Sequence, residues 1–134
     1  MNEHGFIDAV HRRLPADPSF MKWKIHDSFA GGKPDAYYCG PLNDLWVEYK
    51  FIELPKRVTT QIYPDLSELQ IDWLRFLDAC RRPVWVVVGS PKLAGIFSVQ
   101  EALDGFTKPQ YLGRAVSFKD LASRITEHCG VFSG

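Results

Sequence analysis

Hydrophobic and polar positions alternate with two different periods along the chain, and the changes of period mark its elements. Phe6, Ile7, Val10 and Leu14 recur at helical spacing, with Asn2 placed to cap and Pro15 to stop, so residues 2–13 are expected to form an amphipathic helix. Residues 20–26 switch to period two, setting Met21, Trp23 and Ile25 against Lys22, Lys24 and His26, the pattern of a strand with one wet, basic face. Gly31, Gly32 and Pro34 punctuate a turn, residues 35–39 read as a second strand, 40–44 as another turn, and 45–52 as a third strand. Residues 53–65 hold two prolines and no period, as a surface connection would.

Helical spacing returns at Leu66, Leu69, Trp73, Leu74, Leu77 and Cys80, which predicts a helix to about Arg82. The nearly unbroken apolar run at 83–89 suits a central strand covered on both faces. A fifth strand is expected around 94–98, a helical turn at 98–103, and a last helix capped by Ser117 with Asp120 three positions on. The order αβββαβ, with further elements after it, predicts an α/β fold in which helices flank a mixed central sheet. At 134 residues the chain suits one domain, without repeats or linkers.

Composition narrows the picture by exclusion. With 46% hydrophobic and 24% charged residues the chain is neither disordered nor fibrous. Sixteen basic residues balance sixteen acidic ones, so an anionic partner must meet a local patch rather than bulk charge. Cys39, Cys80 and Cys129 form no Cys-x-x-Cys arrangement and read as reduced core thiols. His4, His11, His26 and His128 lack ligand spacing. The N-terminus has no signal-peptide pattern and no window approaches the ~20 apolar residues of a membrane span, so a soluble, cytoplasmic protein is expected.

The candidate chemistry lies in the third strand. Glu48 and Lys50, two residues apart, project from one face at about 6 to 7 Å from each other, and folding about the turn near Leu42 lays Asp35 opposite them. The strand is apolar on both faces, where unpaired charges are costly. A cation between two carboxylates makes both ionised forms favourable. Carboxylate oxygens of Asp35 and Glu48, with the Tyr49 carbonyl, are the hard donors that Mg²⁺ prefers. Lys50 would then orient the attacking water and offset charge at phosphorus, which points to phosphodiester hydrolysis. Taken alone, Glu48 and Lys50 read first as a same-face ion pair on a solvated edge, and the added Pro-Asp and Gln70 reverse that reading.

Pro34-Asp35, twelve intervening residues and Glu48-x-Lys50 resemble the signature of the PD-(D/E)xK nuclease superfamily. Gly32-Lys33-Pro34-Asp35, and Ser67-x-x-Gln70 before Trp73, are similar to its virus-type replication-repair nuclease group, the VRR-Nuc domains, some phage-encoded. This resemblance covers residues 1 to about 90, leaving 91–134 as an extension. It implies a restriction-endonuclease-like core, Asp35 and Glu48 as metal ligands, Lys50 as catalytic lysine, Gln70 as helper and Glu3 as the acidic residue of the first helix. It implies Mg²⁺ as cofactor, with Mn²⁺ as a substitute, and a homodimer cutting branched DNA such as Holliday junctions, as in DNA repair. Gln70 also fits a capping box with Ser67, and Glu3 is favoured in a first helical turn without any metal. Lys33, Lys56 and Arg57 are the candidate phosphate contacts nearest the motif, with Lys22 and Lys24 on the basic strand. Two other readings share the fold: an idle module binding nucleic acid or protein, and a nuclease acting on duplex or single strands.

Overall fold

A computed structural model describes residues 1–25 and 31–132. His26 lies outside the described residues. Helix α1 (Glu3–His11) starts where the Asn2 side chain accepts from the Gly5 N–H at 2.8 Å. Strands β1 (Met21–Lys24), β2 (Ala36–Cys39) and β3 (Asp44–Phe51) follow as an antiparallel meander. Helix α2 (Glu68–Ala79) crosses over to β4 (Val84–Gly89), which runs parallel to β3. The chain continues through β5 (Leu93–Phe97), α3 (Val99–Asp104), α4 (Lys108–Arg114), β6 (Val116–Ser117) and α5 (Phe118–His128). All strands join one six-stranded sheet in sequence order, antiparallel except at β3 and β4.

Each face of the sheet carries its own core. Phe6 and Val10 of α1 and Leu121 and Ile125 of α5 pack on Tyr38, Leu45, Val47, Tyr49 and Val87. Leu74 and Leu77 of α2, with Val99, Ala102 and Tyr111, pack on Val84, Val86, Val88 and Phe97. Strand β4 serves both cores, which is why its sequence is almost continuously apolar. The segment beyond residue 90 is built into this architecture, since α5 completes the α1 side and β5 extends the sheet.

Four expectations change. Met21 and Trp23 are exposed rather than buried, because β1 is the edge strand and its apolar side meets no helix. Leu69 and Cys80 are also exposed, since α2 turns Leu74 and Leu77 inward and leaves its flanks to solvent. Cys39 is half-buried, so Cys129 alone of the three thiols sits in the core. Helix α4 and strand β6 were not foreseen. The former starts at a Thr107 and Gln110 capping box and carries Pro109 in its first turn. No helix among the described residues is long and apolar enough to cross a membrane.

Candidate active site

The meander sets the register on which the site depends. Ala36 pairs with Val47 and Tyr37 with Trp46, so one step further along places Asp35 across from Glu48 on the same face. There β2 has ended and β3 has lost its neighbour on that side. The Tyr49 N–H, otherwise without a strand partner, donates to Asp35 Oδ2 at 2.9 Å. In extended backbone the carbonyl of Tyr49 shares that edge with its N–H. Gly32 fixes the approach to this point. Its φ of +82° suits glycine, and a Cβ there would come within 2.6 Å of Leu69 at the start of α2.

Glu48 has 0% of its surface exposed, and neither carboxylate oxygen has a hydrogen-bond partner. Burial pushes its pKa up to about 10, and the Asp35 carboxyl close alongside adds to the rise while Lys50 opposes it. Two ionised carboxylates cannot hydrogen-bond one another, so Glu48 and Asp35 need either a shared proton or a cation. The Lys50 side chain is only 13% exposed, and its Nζ lies 4.0 Å from Glu3 Oε1. The Glu3 carboxyl is half-buried and its pKa is raised, first by burial and against the pull of Lys50; Asp35 and Asp65 raise it further. The first turn of α1 therefore closes the site from the opposite side of the sheet.

Asp65 belongs to no motif or period of the sequence. The connection 53–65 is stapled by the backbone pair of Ile62 and Phe106, and buried Pro64 follows, which leaves exposed Asp65 near enough to Glu3 to add slightly to the rise of its pKa. Among the sequence signals, only its position between Pro64 and the cap of α2 marks it.

The remaining candidates divide. Gln70 forms the capping box, accepting from the Ser67 N–H at 2.9 Å through its side-chain oxygen, and stands half-buried. Lys24 pairs with Asp8 of α1 and lines a pocket of about 180 Å³ with Glu3, His4, Ile7, Ile25 and Asp35. Lys22 and Lys33 are exposed on the segments leading to Asp35, and Lys56 and Arg57 lie on the exposed stretch of the long connection. His11 and His128 are engaged away from the carboxylates. His11 Nε2 lies 2.8 Å from the Tyr38 hydroxyl, and His128 Nε2 lies 3.0 Å from the Asp44 carbonyl.

Among the described residues no three His, Cys, Asp or Glu side chains form a ready-made metal cage. The donor set nevertheless fits Mg²⁺, which takes one or two carboxylates and keeps several waters. The orphaned, fully buried oxygens of Glu48 are what such an ion would satisfy.

No family model matches the chain, and no curated protein matches it. Among solved structures, it resembles Hjc, a Holliday junction resolvase from the archaeal hyperthermophile Archaeoglobus fulgidus, with a TM-score of 0.54 at 16% sequence identity. The likeness covers 90% of this chain and 96% of that one. The mixed six-stranded sheet between helices is thus the restriction-endonuclease-like fold.

Proposed function

We propose that the protein is a Mg²⁺-dependent DNA endonuclease acting on branched DNA, with Asp35, Glu48 and Lys50 at its centre. The observation that carries this reading is the Glu48 carboxylate, fully buried, unpartnered and beside a second carboxyl, in a fold shared with a junction resolvase. Asp35 and Glu48 would hold the metal, with the Tyr49 carbonyl on the same edge and Glu3 closing the far side. When bound, a divalent cation lowers the pKa of water and polarises the phosphate.

The protein groups do the positioning. Asp35 is fixed by the Tyr49 N–H, so one of its oxygens is pinned and the other is left for the site. Lys50, drawn toward Glu3 and largely shielded from solvent, holds a positive charge where the attacking water and the phosphate must meet. Gln70 spends its carbonyl oxygen on the cap, and its amide retains two donors. The finer placing within the VRR-Nuc group rests on the motif spacing in the sequence.

A homodimer belongs to the same proposal, because a two-fold pair of sites matches the near symmetry of a four-way junction. Leu69, Trp73 and Phe76 make an apolar stripe along α2, with Leu69 and Phe76 exposed, which is the sort of surface a second copy would cover.

The test is cleavage of labelled four-way junction, flap, duplex and single strand, each with and without Mg²⁺. Junction cutting that EDTA abolishes is expected, and Asp35→Asn, Glu48→Gln and Lys50→Ala should each abolish it while the protein stays folded and still binds DNA. If all three variants still cut, the assignment is wrong. Binding that ignores EDTA, without any cutting, identifies an idle module instead.

A further inference from the structure

Three aromatic side chains stand in line across β1, β2 and β3. Trp23 pairs with Tyr37 and Tyr37 with Trp46, so the three share one face and lie about 4.8 Å apart from strand to strand. The Tyr37 and Trp46 rings are 4.5 Å apart between centroids, and the Tyr37 hydroxyl donates to Asp44 Oδ2 at 2.6 Å, which pins the middle ring. Trp23 at the open end is 52% exposed. This face is the one turned away from α1, since Lys24, the neighbour of Trp23 in sequence, reaches to Asp8 of that helix.

The row lies beside the carboxylates. Asp35 is two residues before Tyr37 and Glu48 two residues after Trp46, so the carboxylate pair is the next same-face step along both strands, about 6 to 7 Å away. We propose that Trp23 and Tyr37, backed by Trp46 where it packs on the α2-side core, form a stacking platform for unpaired nucleobases of the DNA strand adjoining the cut. The proposal rests on the nuclease reading and deepens it, because it names unpaired bases next to the scissile phosphate as part of the substrate.

Flat rings accept any base by stacking, without reading sequence, and a positively charged border holds the backbone. Lys33, exposed on the segment entering β2, supplies charge at this border, whereas Lys22 shares the α1-side face of β1 with Lys24. Among the described residues, the only other exposed side chain of β1 on this face is Met21.

The experiment measures affinity in EDTA for a splayed fork and for a duplex of equal length, with wild type, Trp23→Ala and Trp23→Phe. Trp23 is exposed, so its loss should leave thermal unfolding in place. The ratio of fork to duplex affinity is expected to fall about tenfold in Trp23→Ala and to be kept in Trp23→Phe. Abasic sites in the unpaired arms should lower the ratio in wild type at least as much, and should cost Trp23→Ala less than they cost wild type, since Tyr37 and Trp46 still offer rings there. An unchanged ratio, additive losses, or a wild type that binds neither DNA overturns the proposal. A change confined to oligomeric state also overturns it and assigns Trp23 to a protein interface. Failure of the nuclease reading shows separately, as absence of cutting when Mg²⁺ is added.

Discussion

Replacing Glu48 by glutamine removes a group that the fold holds in an uncharged state when no cation is near. Burial, then the neighbouring Asp35 carboxyl, raise its pKa from 4.5 to about 10. An acid whose folded pKa lies above its unfolded value contributes full stability below about pH 4.5 and loses it as pH rises toward 10. At pH 7 the gap from 4.5 is 2.5 units, which is on the order of 3 kcal/mol of stability lost relative to pH 4.5. From pH 6 to pH 8 the same slope takes away on the order of 3 kcal/mol. Glu48→Gln keeps the shape and gives Asp35 an amide donor, so its stability should vary far less over that interval. Urea denaturation in EDTA at pH 6, 7 and 8 reads the difference directly. Adding Mg²⁺ at about a hundred times its dissociation constant should return about 2.7 kcal/mol to wild type and nothing to the variant. Parallel pH slopes for the two proteins in EDTA, or a wild type indifferent to Mg²⁺, would refute the reasoning.

The opposite limb of the pH profile belongs to His11. Burial, then repulsion by Lys24 and Lys22, lower its pKa from 6.5 to about 4, so its contribution is complete above about 6.5 and is lost as pH falls toward 4. Discounted for partial exposure, the loss is on the order of 2 kcal/mol, and His11→Gln, which can still bond the Tyr38 hydroxyl, should flatten it in denaturation at pH 4.5 and 7. At α2, Ser67→Ala and Gln70→Ala each break the capping box and should cost about 1 kcal/mol in thermal unfolding. Cleavage should fall further in Gln70→Ala than in Ser67→Ala, and equal activities would confine the glutamine to its cap.

What could be read in the sequence was whatever a local period or a local cap encodes. Alternation through 45–51 sorted Glu48 and Lys50 from Leu45, Val47 and Tyr49, and the structure keeps that division. Asn2, Ser67 and Ser117 cap the helices they were expected to cap. Alternation says which residues share a face but not whether anything covers it, which is why Met21 and Trp23 came out exposed. The short α4 was hidden by the proline and glycine inside it, and β6 is only two residues long. Asp65 was out of reach for a different reason. Its reach to the field at Glu3 depends on Ile62 pairing with Phe106, more than forty positions away, and no local pattern records that closure.

The position of the charges follows from where the sheet comes apart. β3 is an interior strand along most of its length, yet β2 stops pairing at Ala36, so beyond Val47 one edge of β3 is open while its faces remain covered by helices. An open edge inside a covered region leaves a backbone N–H that must find an acceptor. Asp35 provides it at Tyr49, and in doing so sets a carboxyl against Glu48 on the adjacent position of the strand. The same side chain thus satisfies the backbone and creates the electrostatic conflict that only a proton or a cation relieves. Two opposite charges persist in an otherwise apolar strand because the fork between β2 and β3 puts Glu3 within reach of Lys50 and leaves Glu48 beside Asp35, where a proton or a cation must balance the pair.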